Sequence, residues 1–189
     1  GLFSMKNPNP EQHIIDFEEQ AKRGIDLITI HATAFKEDME LIEASKRLIP
    51  TTSRGGAMVL RNMYQGGYEN PYYVYFDDIL SIAEKYHVCL SLGPMYLPAS
   101  VWDGHNQNEL HVLELERMGQ LVRRAHDKGV GVAIEGIGHA SIKDIPSLVG
   151  MAKRHCGDAP YRVLTVSTDT AMGFDHISSA IASAVAVQN

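Results

Sequence analysis

The chain predicts an α/β fold in which parallel strands alternate with helices. Three observations carry this: four short apolar runs of strand length and a weaker fifth segment, amphipathic stretches of helical length between most of them, and polar groups where the runs end. Repeated strand–helix units imply a parallel sheet with helices on its faces.

Each element has a local reason. Asn9-Pro10 reads as an N-cap with proline at the first helical position, opening a helix to about Arg23 that Gly24 ends. Asp26–His31 is a short buried strand, and a second helical stretch runs from Lys36 to Leu48. Pro50–Arg54 reads as a weaker strand closed by Gly55-Gly56, and Gly66–Pro71 as a loop. Asp77 and Asp78 can cap a helix to about Tyr86, after which Val88–Gly93 is the third strand. Pro94–Asn108 reads as polar and irregular. From Glu109 to His126, Leu110, Leu113, Met118, Leu121, Val122 and Ala125 form one helical stripe, stopped by Lys128-Gly129. Val130–Glu135 is the fourth strand, a helix from about Asp144 is closed by Gly157, Tyr161–Val166 is the fifth strand, and a last helix begins at His176. No linker or low-complexity segment interrupts residues 1–189, which read as one domain.

Composition bounds the function. With 189 residues, 44% hydrophobic and 21% charged, the chain is an ordinary globular sequence with room for a sizeable core. A net charge of −6 argues against a nucleic-acid surface, which needs a basic stripe. No apolar run suits a membrane span and no signal peptide is visible, so a cytoplasmic protein is expected; the absence of an initial Met points to a start upstream. Cys89 and Cys156 form no C-x-x-C pair and read as thiols in a reducing compartment. Alone they cannot hold an iron–sulfur cluster.

Polar residues at the strand ends are the candidates for chemistry, because parallel sheets keep their active sites there in barrels and doubly wound folds alike. Glu135-Gly136-Ile137-Gly138-His139 follows an apolar strand; its glycines let the backbone turn tightly, and its imidazole suits zinc, although a turn with a surface His has the same pattern. Ser53-Arg54-Gly55-Gly56 offers a hydroxyl, a guanidinium and open amides to an anion such as phosphate, or is a solvated turn. His31 ends a strand and alone reads as a core histidine, and Asp175 as a helix cap beside Asp169 and His176. No Walker loop, G-x-G-x-x-G or G-x-S-x-G is present. The residues themselves therefore reach a metal- or phosphate-handling α/β enzyme, barrel or open sheet.

Taken together, Thr29-Ile30-His31-Ala32, Ser53-Arg54-Gly55-Gly56, Ser91-Leu92-Gly93, Glu135-Gly136-x-Gly138-His139 and the run from Thr168-Asp169 through Asp175-His176 to Ile181 resemble the phosphomethylpyrimidine synthase (ThiC) family in order and separation. The resemblance implies part of a (β/α)8 TIM-type barrel. It implies radical S-adenosylmethionine (SAM) lyase chemistry that turns aminoimidazole ribotide into hydroxymethylpyrimidine phosphate for thiamine, with a [4Fe–4S] cluster, SAM and Zn2+ or a similar divalent metal. It implies substrate binding by His31, Ser53, Arg54, Gly55 and Glu135, metal ligation by His139, and a homodimer in the full-length form. No catalytic residue is assigned.

Three departures qualify it. Where the family has Asp-Gly-Leu-Arg-Pro-Gly, this chain has Pro94-Met95-Tyr96-Leu97-Pro98-Ala99, which removes an acidic and a guanidinium group. Ile137, Thr170, Met172 and Phe174 replace family residues, and the family's substrate-contacting Tyr aligns with Tyr161 or Arg162. The second metal-ligand His and the C-x-x-C-x4-C cluster motif lie downstream in the family, and five strands fall short of the eight of a closed barrel, so a fragment is expected. The alternatives are a paralogue making 5-hydroxybenzimidazole, a metal-dependent barrel lyase or hydrolase, and a non-catalytic ligand-binding paralogue.

Overall fold

Strands pair in the order in which the chain makes them. In the computed structural model, β1 (Leu27–Ile30), β2 (Cys89–Leu92), β3 (Val132–Ile134) and β5 (Arg162–Val163) form one parallel sheet in that sequence. β4 (Ile137–Gly138) pairs with β6 (Val166–Ser167) as a two-stranded parallel extension. The structure describes residues 9–51, 53–105, 109–135, 137–140, 142–163, 166–167, 177, 180, 181 and 184. A doubly wound sheet reverses its order at a switch point, whereas a barrel winds on in one direction. This sheet winds on, which is the arrangement of a partial barrel.

The registers set two faces. Ile28 pairs with Leu90 and Ile30 with Leu92; Leu90 in turn pairs with Val132 and Leu92 with Ile134. Side chains alternate along a strand. These even-numbered residues therefore share one face, and all are buried. Thr29, Ser91 and Ala133 occupy the other face.

Helices cover the sheet with apolar stripes. α1 (Gln12–Lys22) buries His13, Phe17 and Ala21, and α5 (Phe76–Tyr86) buries Phe76, Ile79, Leu80 and Ala83. α7 (Glu109–Asp127) and α8 (Ile145–Cys156) pack together, with Leu115, Met118, Leu121, Leu148, Val149 and Ala152 in the common core. Each fully buried Phe, Leu, Ile, Val or Met among them contributes roughly 1.5–3 kcal/mol. The shorter helices are α2 (Asp38–Ala44), α4 (Pro71–Val74) and α6 (Val101–His105).

Several expectations are corrected. The described residues of Pro50–Arg54 hold no strand: β1 lies directly against β2, and Ser53 instead caps α3 (Arg54–Gly66), its side chain accepting from the Gly56 amide at 3.1 Å. A cap satisfies an amide that the first helical turn leaves unpaired, and the stripe Val59, Leu60, Met63 supplies the burial. Asp77 and Asp78 lie within the first turn of α5 rather than capping it. Leu113 is only half-buried in the α7 stripe. Pro94–Pro98 is irregular as expected, yet it is buried throughout, and Val101–His105 of the same stretch is helical. The fifth strand divides into β5, which pairs with β3, and β6, which pairs with β4. Asp169, Thr170, Met172, Phe174, Asp175 and His176 lie outside the described residues, as does Gly136.

Candidate functional site at the strand ends

The odd-numbered face of the sheet carries polar groups up to and past the strand ends. Thr29 is followed two residues on by His31, Ser91 by Gly93 and Ala133 by Glu135, so period-two alternation keeps each pair on one side. Backbone bonds extend the ladder beyond the strands: Gly93 N–H donates to Ile30 O at 2.8 Å and Glu135 N–H to Leu92 O at 3.1 Å. Glu135 Oε1 accepts from Thr29 Oγ1 at 3.3 Å and from Ser91 Oγ in a short bond. One carboxylate thus ties three adjacent strands together at their C-terminal ends.

His31 is buried beside it. Its Nδ1 lies 3.2 Å from Pro94 O. A carbonyl only accepts, so Nδ1 carries the proton and Nε2 is the acceptor nitrogen. Burial holds its pKa below the usual imidazole range, against the opposing pull of Pro94 O and the Glu135 charge, so the ring is neutral at pH 7. Gly93 makes room for it: a Cβ there would lie 2.5 Å from His31 Cε1 and 2.7 Å from Nδ1.

The N-terminus of α3 stands against the same Pro94 segment. A Cβ on Gly56 would meet Pro94 O at 2.9 Å and Met95 Cα at 3.0 Å. Gly55 is buried, Ser53 half-buried and Arg54 exposed. The start of a 13-residue helix is a positive dipole end beside an arginine, a setting that favours anions. His139 joins at the far end of the segment: its Nδ1 lies 2.5 Å from Pro98 O, with its backbone at φ 48°.

Behind the mouth lies a buried polar cluster. Glu114 of α7 accepts from Thr33 Oγ1 at 2.7 Å and from the amides of Met95 at 2.5 Å and Tyr96 at 3.1 Å. Burial pushes its carboxyl up to about 7, against the pull of these donors and of Arg47. Tyr96 donates its hydroxyl to Asp38 at 2.8 Å, and its carbonyl accepts from Arg47 at 2.6 Å. Burial, helped by the Asp38 charge, raises the Tyr96 phenol well above its ordinary value. Asp38 is also paired with Arg117, which donates to Thr33 O at 3.0 Å and stacks 3.8 Å over Phe35. Asn70, fully buried, donates to His31 O at 3.1 Å and Ala34 O at 2.9 Å.

His31, the α3 N-terminus, Glu135 and His139 therefore all adjoin either the Pro94–Pro98 segment or one another. Sequence reasoning passed over Glu114, Asn70 and Asp38. The available signal was a carboxylate four residues from Leu110 and from Met118, on the apolar face of α7.

The profile of the Radical SAM ThiC family matches residues 4–189. The chain belongs to the radical SAM ThiC family. Among curated relatives it is 40% identical over 183 residues to the phosphomethylpyrimidine synthase of Clostridium acetobutylicum, covering 96% of this chain and 42% of that protein. It is 42% identical over 179 residues to that of Caldanaerobacter subterraneus subsp. tengcongensis, covering 94% and 41%. For Carboxydothermus hydrogenoformans the figures are 40% over 177 residues, 93% and 41%. The chain spans about two-fifths of the length of these relatives.

Membership of the family implies SAM and an iron–sulfur cluster. Cys89 is exposed at the start of β2, and Cys156 is buried in α8 with its thiol pushed up to about 11 by burial. Two cysteines so placed do not supply the three or four thiolates that hold a [4Fe–4S] cluster, so these residues do not fit that group. A single metal ligand is a different matter. His139 has one ring nitrogen tied to a backbone carbonyl, the outer-shell contact that orients metal-binding imidazoles. Among the described residues no group of three His, Cys, Asp or Glu gathers around it or elsewhere. Among the described residues, too, no helix is long and apolar enough to cross a membrane.

Proposed function

We propose that this chain forms the substrate-holding mouth of a phosphomethylpyrimidine synthase-type lyase acting on aminoimidazole ribotide. The observation that carries the reading is that neutral His31 and the N-terminus of α3 meet at Pro94, with Glu135 beside His31, at the C-terminal ends of consecutive parallel strands. The amides of the first α3 turn and the Arg54 guanidinium take the ribotide phosphate. His31 Nε2 accepts a hydrogen bond from substrate, and the Glu135 carboxylate accepts another. In the family, SAM at the cluster supplies the radical. The task of these residues is to hold the ribotide in one orientation and keep water away. His139 is offered as one ligand of a divalent metal.

A second reading has its own observation. The buried Pro94–Pro98 segment puts Pro94 and Leu97 where the resemblance leads one to expect an acid and a guanidinium. That favours a paralogue with a changed product, such as 5-hydroxybenzimidazole, on the same ribotide.

Titration of aminoimidazole ribotide by calorimetry tests the binding reading. Arg54→Ala should weaken affinity about 10-fold, the loss of one charge-assisted hydrogen bond, while Arg61→Ala on the same helix should leave it unchanged. Equal effects of the two substitutions would remove the specific role of Arg54.

A further inference from the structure

We propose that Glu114 is a positioning residue for this mouth: one buried carboxylate clamps the loop after β1 to the loop after β2 and so fixes where His31 stands. The inference rests on the strand-end reading above.

The clamp is visible in who donates to Glu114. Thr33, two residues past His31, gives its hydroxyl; Met95, one residue past Pro94, gives its amide, and Tyr96 gives the next. Pro94 O is the acceptor for His31 Nδ1. Both ends of the His31–Pro94 hydrogen bond are thus anchored, within two residues, by the same carboxylate. Asn70 fixes the backbone carbonyl of His31 from the other side. Glu114 comes from α7, behind the mouth, where Arg117 of the same helix donates to Thr33 O, so it acts through His31 and Pro94 and not on the substrate.

The position calls for several acceptor sites on one side chain. Two buried amides and a hydroxyl need three acceptor sites, which a carboxylate has and a Gln side chain oxygen cannot offer with the same directions. The charged and titratable groups that surround it are Arg47 from the α2–α3 connection, Asp38 from α2 with Arg117 of α7, the Tyr96 hydroxyl, and Asp103 of α6 beyond Arg47; Glu135 faces His31. Burial outweighs the favourable donors, which places the titration of Glu114 at about 7. A proton on the carboxyl puts an O–H where an amide must donate, so one bond of the clamp is lost as pH falls through neutrality.

The test uses the intact protein with 15N labelling and 13Cε1-labelled histidine. In the wild type the amide signals of Met95 and Tyr96 should inflect near the Glu114 pKa, and the inflection should vanish in Glu114→Gln. In that variant the titration of His31 should move up toward the ordinary imidazole value. Ribotide affinity should fall about 10-fold, and its dependence on Glu114 between about pH 6 and about pH 8 should disappear. A purely structural Glu114 would lower the melting temperature and leave His31 where it is, and that result in a folded variant overturns the proposal. Should Glu114→Gln fail to fold, the wild-type amides decide: no inflection at Met95 and Tyr96 across neutral pH also overturns it. If His31 moves as expected but millimolar ribotide does not bind, the positioning role stands and the ribotide reading falls.

Discussion

Removing the Asp38 carboxylate is the sharpest test of how the mouth is held. Asp38 is 3% exposed and Arg117 7% exposed. The carboxylate takes two bonds from the guanidinium, one from the Tyr96 hydroxyl and one from the Phe35 amide at 2.7 Å. Asp38→Ala leaves a charged guanidinium sandwiched between Phe35 and Thr33 O without its counter-ion. Breaking a buried pair on one side costs about 3–5 kcal/mol. Glu37 lies 3.8 Å from Arg117 but its side chain is 78% exposed, so it recovers at most about 1 kcal/mol. The expected net loss is about 3 kcal/mol. With a urea slope of about 2 kcal/mol/M, the unfolding midpoint drops by about 1.5 M. The double variant Asp38→Ala/Arg117→Leu removes the stranded charge as well and should be more stable than Asp38→Ala alone by at least about 1 kcal/mol. Urea melts of the four proteins in the cycle measure this. A single-variant loss below about 1 kcal/mol, or additive effects in the cycle, would refute the account of this cluster as a buried, mutually dependent pair.

Two further predictions concern the mouth itself. Gly93→Ala places a methyl 2.5 Å from His31 Cε1 and 2.9 Å from Thr29 Cγ2, so it should displace the imidazole and cost about 1–3 kcal/mol in overpacking; unchanged stability together with an unchanged His31 signal would contradict the packing described here. Glu114 makes stability pH-dependent with a definite sign. Its folded pKa of about 7 lies above the unfolded 4.5, so the contribution is fully present below pH 4.5 and is lost as pH rises through about 7. The whole change is about 3 kcal/mol, and urea midpoints of wild type minus Glu114→Gln should fall across that window; a flat difference would show that the carboxyl titrates normally.

What the sequence determined by itself is local and periodic. The short apolar runs at Leu27–Ile30, Cys89–Leu92 and Val132–Ile134 read as strands and are strands. The stripes of α1, α5, α7 and α8 could only be helices packed on them. Motif order brought the chain to its family, and the residues at the strand ends were legible because parallel sheets present their C-terminal ends to ligands. Other features depended on partners far away in the chain. Ser53 caps a helix instead of ending a strand because β1 and β2 pair with no slot between them. Pro94–Pro98 is buried because Glu114, Asp38 and Arg47 satisfy Met95 and Tyr96 from elements remote in sequence, which no reading of that segment alone could supply. Period and propensity act over a few residues, whereas a buried polar group is tolerated only where the whole fold brings it a partner.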